Sequence, residues 1–362
     1  MTQKLKKYIA LTLSSFAALL MLVFSDGARS GIVNGLYLTV DSVIPSLFLF
    51  TALSVMISKL VFITKPDKPR TDSKFGIKDA YLWILTAVSG YPVGAKIING
   101  LYKDGTISRK KALKMITYSV NAGPAFIITT VGQYVFRSKS DGLRLFVCLM
   151  LSNLLLTVVA NIIPDRFFDK QSHKKASISA SQMFMSKHNE SFAEIFTNSI
   201  VNAGQTMLTL SFFVVFFSGL SGILQSINIP FVYNLAKLSE VTIGIQSCKK
   251  SELTTAAFLL GFSGISVIFQ VLSAAKDIKI PLSHLVFSRV AHGLLSSAIT
   301  KASILLFPRS TATGNFNVSS INQTPPTRIF TVAAMVLLCI VLLDSGTRLY
   351  YNVSEANKRN VR

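Results

Sequence analysis

The stretch Ser89-Gly90-Tyr91-Pro92-Val93-Gly94-Ala95-Lys96 limits what this chain can fold into more than any other. The apolar run before it, Ala80 to Val88, is only about half as long as a bilayer-spanning helix. The run after it, Ile97 to Tyr102, is shorter still. Two glycines and a proline within five residues remove a backbone donor and loosen the helix, leaving peptide groups near Gly90 to Gly94 unpaired within their own segment. At membrane depth such backbone survives only where protein buries it or a wet cavity meets it. A kink that merely serves packing would account for the glycines and the proline. Lys96 tilts the reading toward function, because an ionisable side chain at depth costs about 2.5–3.5 kcal/mol even on the lenient insertion scale. Discontinuous segments of this kind mark binding sites in membrane transporters.

Composition sets the class. Half of the 362 residues are hydrophobic, only 15% are charged, and the mean hydropathy is +0.50, too apolar for a soluble chain of this size. The expected fold is an all-α polytopic membrane protein. Lysines and arginines outnumber acids 37 to 16, for a formal charge of +21. They punctuate apolar runs instead of gathering in one patch, so membrane lipids on the cytoplasmic face are the expected partner and nucleic acid is not. The sequence has no G-x-x-x-x-G-K-[ST] and no H-E-x-x-H; its four histidines have no metal spacing, and Cys148, Cys248 and Cys339 lie far apart. No enzyme, cofactor or metal is expected.

In chain order, Lys4, Lys6 and Lys7 precede an apolar run from Tyr8 to Phe24, read as an uncleaved first helix. Short polar residues are expected to turn the chain before a second span, Val40 to Leu60. Six Lys/Arg between Lys59 and Lys78 place that loop in the cytoplasm. The interrupted segment then returns to another basic stretch, Lys103 to Lys114, so it reads as a re-entrant hairpin. Met115 to Phe136, broken by Asn121-Ala122-Gly123-Pro124, and Leu143 to Ile163 are the third and fourth spans. After a basic loop, Arg166 to His188, apolar residues at helical spacing from Phe192 to Ile200 suggest an interfacial helix.

The second half repeats the order. Ala203 to Ile227 is a span, Phe231 to Cys248 a second interrupted segment, and Thr254 to Ala275 and Leu282 to Phe307 two more spans. Ungapped superposition pairs Ser89 with Ser239, Gly94 with Gly244, Gly123 with Gly264 and Ile127 with Ile268. Three full spans per unit invert the second copy, giving an inverted-topology repeat. With a last helix, Ile329 to Leu343, the expectation is about eight transmembrane helices and two re-entrant hairpins, multi-pass in the cell membrane, with both termini cytoplasmic. The segments are 1–39, an N-terminal membrane helix; 40–164, the first repeat; 165–202, the basic loop and interfacial helix; 203–307, the second repeat; and 308–362, an outer loop, the last helix and a basic tail.

Polar residues at depth suggest a site. Arg289, His292, Ser296, Thr300 and Ser303 form one stripe of the seventh span. Arg289 could instead snorkel to the surface, and His292 could be a packing residue. Glu240, the lone carboxylate of the second hairpin, either pairs with Lys96 or Arg289 or exchanges protons. The expected substrate-binding set is Ser89, Gly90, Tyr91, Pro92, Gly94, Lys96, Asn121, Gly123, Ser239, Glu240, Gly244, Ser263, Gly264, Gln270, Arg289 and His292.

The run Ser89 to Lys96, with Ile107-Ser108-Arg109 and Asn121-Ala122-Gly123-Pro124, resembles the YlbJ-like sporulation integral membrane proteins of the nucleoside-recognition "Gate" group. Glu240 to Gly244, Gly261 to Gln270 and Arg289-Val290-Ala291-His292 extend the resemblance, which covers about residues 40 to 307. It implies solute passage across a membrane of a spore-forming bacterium, the forespore membrane being one such place, with a homo-oligomer or other spore membrane proteins as partners. The function expected is a secondary-type transporter or channel for a small anionic solute. Dipicolinate is the candidate cargo that spore formation suggests. A non-transporting scaffold in spore-envelope assembly and a nucleoside carrier are the alternatives.

Overall fold

The computed structural model describes residues 3–62, 76–163, 191–227 and 229–308, and every regular element among them is helical. The last expected helix, the outer loop before it and the basic loop at 166–188 lie outside the described residues, as does most of the loop at 59–78.

Helix α1 (Gln3–Val23) exposes Leu11, Phe16, Leu19 and Leu22, as a lipid-facing helix does. The helix is interrupted only at Phe24 (φ −110°, ψ 46°), and the polar residues expected to turn the chain are themselves helical. Ala28 N–H donates to the Phe24 carbonyl at 3.0 Å, and α2 (Ser25–Leu38) runs through a π-helical stretch (Thr39–Val43) into α3 (Ile44–Phe62). The cause is three glycines four residues apart. A Cβ on Gly27, Gly31 or Gly35 would run into the Gly222 carbonyl, the Ser218 carbonyl or the Ser218 side chain of α8 (Phe192–Ser226). Small residues every fourth position let two membrane helices approach backbone to backbone, so tertiary packing holds this polar-looking stretch in a helix. The π-helical bonds, ending with Ile44 N–H to Thr39 O, lie next to Pro45, whose missing N–H disrupts an ordinary α-helical ladder.

The first interrupted segment is a helical hairpin. Helix α4 (Ile77–Ser89) ends at Gly90, whose φ of 74° lies in the left-handed region, and α5 (Val93–Lys103) begins after Pro92. Helix α6 (Arg109–Tyr118), capped by the Ser108 hydroxyl accepting from Lys111 N–H, is followed by non-helical backbone through Gly123 and a π-helical stretch (Phe126–Val135). Helix α7 (Lys139–Ile162) folds back on that stretch, with Gly132 against Gly142.

Helix α8 opens with a capping box: Ser191 Oγ accepts from Glu194 N–H at 3.3 Å, and Glu194 Oε2 accepts from Ser191 N–H at 2.7 Å. It runs unbroken for 35 residues, so the interfacial stretch and the span expected after it are one helix. The second hairpin is α9 (Pro230–Ser239) and α10 (Val241–Gln246), parted at Glu240. Helices α11 (Leu253–Phe262) and α12 (Gly264–Ala274) are one broken span, with Ser263 and Gly264 both left-handed at φ 74° and 80°. Helix α13 (Leu282–Leu306) packs on α11, where Gly261 meets Gly293.

Four described helices are long and apolar enough to cross a membrane: Ser25–Leu60, Lys139–Ile162, Phe192–Ser226 and Leu253–Ala274. Of the other spans expected, the third is divided at its break into α6 and the π-helical stretch, and α13 carries Arg289, His292 and Lys301 on its 25 residues. At one end of the molecule polar contacts bind the connections together. Lys111 Nζ lies 2.7 Å from Asp79 Oδ1, which joins the start of α4 to the start of α6. Arg109 donates to the Ile278 and Lys279 carbonyls, each at 2.9 Å, and Asn99 Nδ2 donates to Asp277 Oδ2 at 2.8 Å.

Candidate functional site

The tips of the two hairpins and the breaks of the two broken helices come together. Gly90 lies against Gly123: a Cβ on Gly90 would stand 3.2 Å from Gly123 N. A Cβ on Gly264 would stand 3.0 Å from Val241 N, beside Glu240. Each hairpin tip therefore abuts the break that follows it in sequence. Around this meeting point is a cavity lined by Tyr91, Ala122, Gly123, Phe126, Glu240, Val241, Thr242, Val267 and Gln270. Val43 of the π-helical stretch, Leu47 of α3 and Leu210 and Val214 of α8 close it, and with Met207 they form one buried apolar cluster. Its empty space totals about 390 Å³ with the open part included, and it is narrow, with room for little more than water-sized particles.

Of the expected site residues, Tyr91, Gly123, Glu240 and Gln270 line this cavity, and Gly90 and Gly264 bring the walls together. The Tyr91-Pro92 peptide bond is cis. Ser89 and Ser239, each the last residue of the first helix of its hairpin, turn their hydroxyls back to the Leu85 and Ala236 carbonyls, at 2.5 and 2.7 Å. Gly94 and Gly244 each face a backbone carbonyl, of Ser119 and Lys237, with no room for a side chain. Ser263 Oγ donates to the Leu260 carbonyl at 3.2 Å.

The cations stand away from the cavity lining. Arg289 is fully buried, and its Nη1 and Nη2 donate to the carbonyls of Val120 and Thr117, which the break after α6 leaves without helical partners. Lys96 Nζ donates to Thr206 Oγ1 at 2.7 Å, tying α5 to α8. His292 is also fully buried, with the backbone of Leu149 and Gly261 beside its ring. Asn121 belongs to a polar network behind the break: its Oδ1 accepts from Asn153 Nδ2 at 2.5 Å, and Asn153 Oδ1 accepts from Trp83 Nε1 at 2.5 Å. Asn153, Trp83 and Thr206 were not among the expected residues. Asn153, set among leucines in the apolar middle of α7, is the sequence signal that could have found this network.

The chain is similar to the "Sporulation integral membrane protein YlbJ" of Bacillus subtilis (strain 168), with 22% identity over 244 residues. That is 58% of this chain and 60% of the relative, so the chain spans less than two thirds of that protein's length. No family model and no solved structure matches. The similarity agrees with the family resemblance read from the interrupted segments, and with the apolar helices it supports a membrane protein.

Proposed function

We propose that this protein is a secondary-type transporter or channel that passes a small anionic solute during spore formation, with dipicolinate as the candidate cargo. One observation carries the reading. Two hairpin tips and two helix breaks meet around a single cavity between apolar helices, and irregular backbone at membrane depth belongs where a pathway is lined. The residues paired between the halves play matching parts: two back-bonded serines, two glycines against carbonyls, and two glycines at tip-to-break contacts. This supports an inverted repeat with two re-entrant hairpins. The narrowness of the cavity fits an occluded conformation, in which cargo enters only after one half rocks against the other.

The test is uptake of labelled dipicolinate and of a labelled nucleoside by liposomes holding the pure protein. Gly123→Ala is the informative variant, because its Cβ would meet Leu47 Cδ2 at 3.3 Å and fill the cavity without colliding with backbone. Dipicolinate uptake that falls at least tenfold in Gly123→Ala, with the protein still folded, is expected. Uptake of the nucleoside alone would favour a nucleoside carrier, and no uptake of either would favour a scaffold.

A further inference from the structure

Glu240 is 1% exposed, and no cation pairs with it among the described residues. Its Oε2 accepts from Ile243 N–H at 2.9 Å and its Oε1 from Thr242 Oγ1 at 3.3 Å, with the Thr242 and Val241 backbone also donating to the carboxylate. Arg289 and Lys96 donate to other oxygens, and Arg289 Nε has no hydrogen-bond partner. The neutral donors around Glu240 leave the buried charge without a counter-charge, and such a carboxylate takes up a proton or a cation. The cavity wall decides between them. Tyr91 Oη and Gln270 Oε1 are buried without hydrogen-bond partners, in residues 8% and 4% exposed that both line the cavity with Glu240. A single proton on Glu240 would leave these oxygens unserved, whereas a small hard cation takes several oxygen ligands at once. The cavity is narrow, with room for little more than water-sized particles, which suits such an ion. The C-terminal end of α9, the negative end of its dipole, stops at the same break.

We propose that the cavity between the two hairpin tips binds a monovalent alkali cation, Na⁺, through the Glu240 carboxylate with Tyr91 Oη, Gln270 Oε1 and Thr242 Oγ1 as neutral ligands. One carboxylate matches one positive charge; a calcium site would call for more acidic oxygens. Ion binding draws both tips and α12 to one point, so it stabilises the occluded conformation. The binding site stands by itself, and its role as the coupling ion rests on the transport reading above.

The experiment is thermal unfolding of the purified full chain in detergent, titrated with NaCl against choline chloride at constant ionic strength and near-neutral pH. A saturable rise in Tm with Na⁺ only is expected, because a ligand that binds the folded state alone stabilises it by mass action. Glu240→Gln should remove the rise, while its amide oxygen still accepts from Ile243 N–H. Tyr91→Phe should move the titration to about tenfold higher Na⁺, and it keeps the test decisive if Glu240→Gln does not fold. Equal responses to sodium and choline would overturn the proposal, as would a Na⁺ response unchanged in both variants. A Tm that ignores Na⁺ but climbs as pH falls would also overturn it, leaving Glu240 as a proton site. A sodium shift without solute uptake would keep the ion site and remove the transport reading; uptake with no sodium shift would do the reverse.

Discussion

Arg289 and Lys96 are the cations that a reader of the sequence would place in an anion site, yet each donates to oxygens of the protein instead. Arg289 serves as a built-in cap for the broken third span: two carbonyls freed by the break would otherwise lie buried and unpaired. Arg289→Gln should therefore destabilise the protein by about 1.5–3 kcal/mol, the worth of one hydrogen bond to a charged group. Because the damage is to the scaffold, uptake of charged and neutral solutes should fall in the same proportion. Thermal unfolding with paired uptake measurements checks this, and a loss confined to the anion would put the guanidinium back in the pathway. Lys96→Gln should follow the same pattern with a smaller loss, since Lys96 is only half-buried and makes one short bond. The residues at the cavity were legible where a single chain segment announces them, as Gly90, Tyr91, Gly123 and Glu240 do by breaking apolar runs. Leu47, Leu210 and Val214 were not, because an apolar side chain that closes a cavity looks in sequence like one that faces lipid.

Helix α2 makes the corresponding point for elements. Its Ser25, Asp26, Arg29, Ser30 and Asn34 have the composition of a loop, and the sequence reading expects a turn there. Gly27, Gly31 and Gly35 overrule it only through contact with α8, about 190 residues further on, and local propensity cannot register such a partner. Local signals did locate the helix breaks. The breaks at Gly90 to Pro92, at Asn121 to Pro124, at Glu240 and at Gly264 fall where the sequence marks them. The hydroxyl of Ser108 caps α6 and that of Ser138 caps α7. Two glycine substitutions separate packing from propensity. In Gly31→Ala the new methyl would meet the Ser218 carbonyl, so α2 and α8 must part, with a loss of about 1–3 kcal/mol from overpacking. Gly100, inside α5, has nothing within 4 Å of the same position, and Gly100→Ala should stabilise by up to about 1 kcal/mol through helix propensity. Opposite changes in Tm are expected; a fall of equal size in both would mean that the α2–α8 contact is not the determinant.

For the whole molecule, the ends of the helices decide whether the two halves are inverted. The Lys111–Asp79 pair and the Arg109 bonds to Ile278 and Lys279 gather the start of α4, the start of α6 and the connection between α12 and α13 at one end. The positive-inside rule assigns that end to the cytoplasm. The turn between α10 and α11, near Ser251, and the start of α7, near Ser140, then belong to the other side if each hairpin returns to the face from which it began. Single cysteines are the test, in a background where Cys148, Cys248 and Cys339 are replaced. Asp104→Cys and Lys276→Cys, both exposed at the basic end, should be protected from an impermeant thiol reagent added outside intact cells. Ser140→Cys and Ser251→Cys, also exposed, should be labelled at once, and permeabilisation should make all four equal. If the second hairpin crossed the membrane instead of returning, Ser251→Cys would be protected and Lys276→Cys, beyond the next span, would be labelled. The two halves would then share one orientation, and rocking of one inverted half against the other would lose its structural basis.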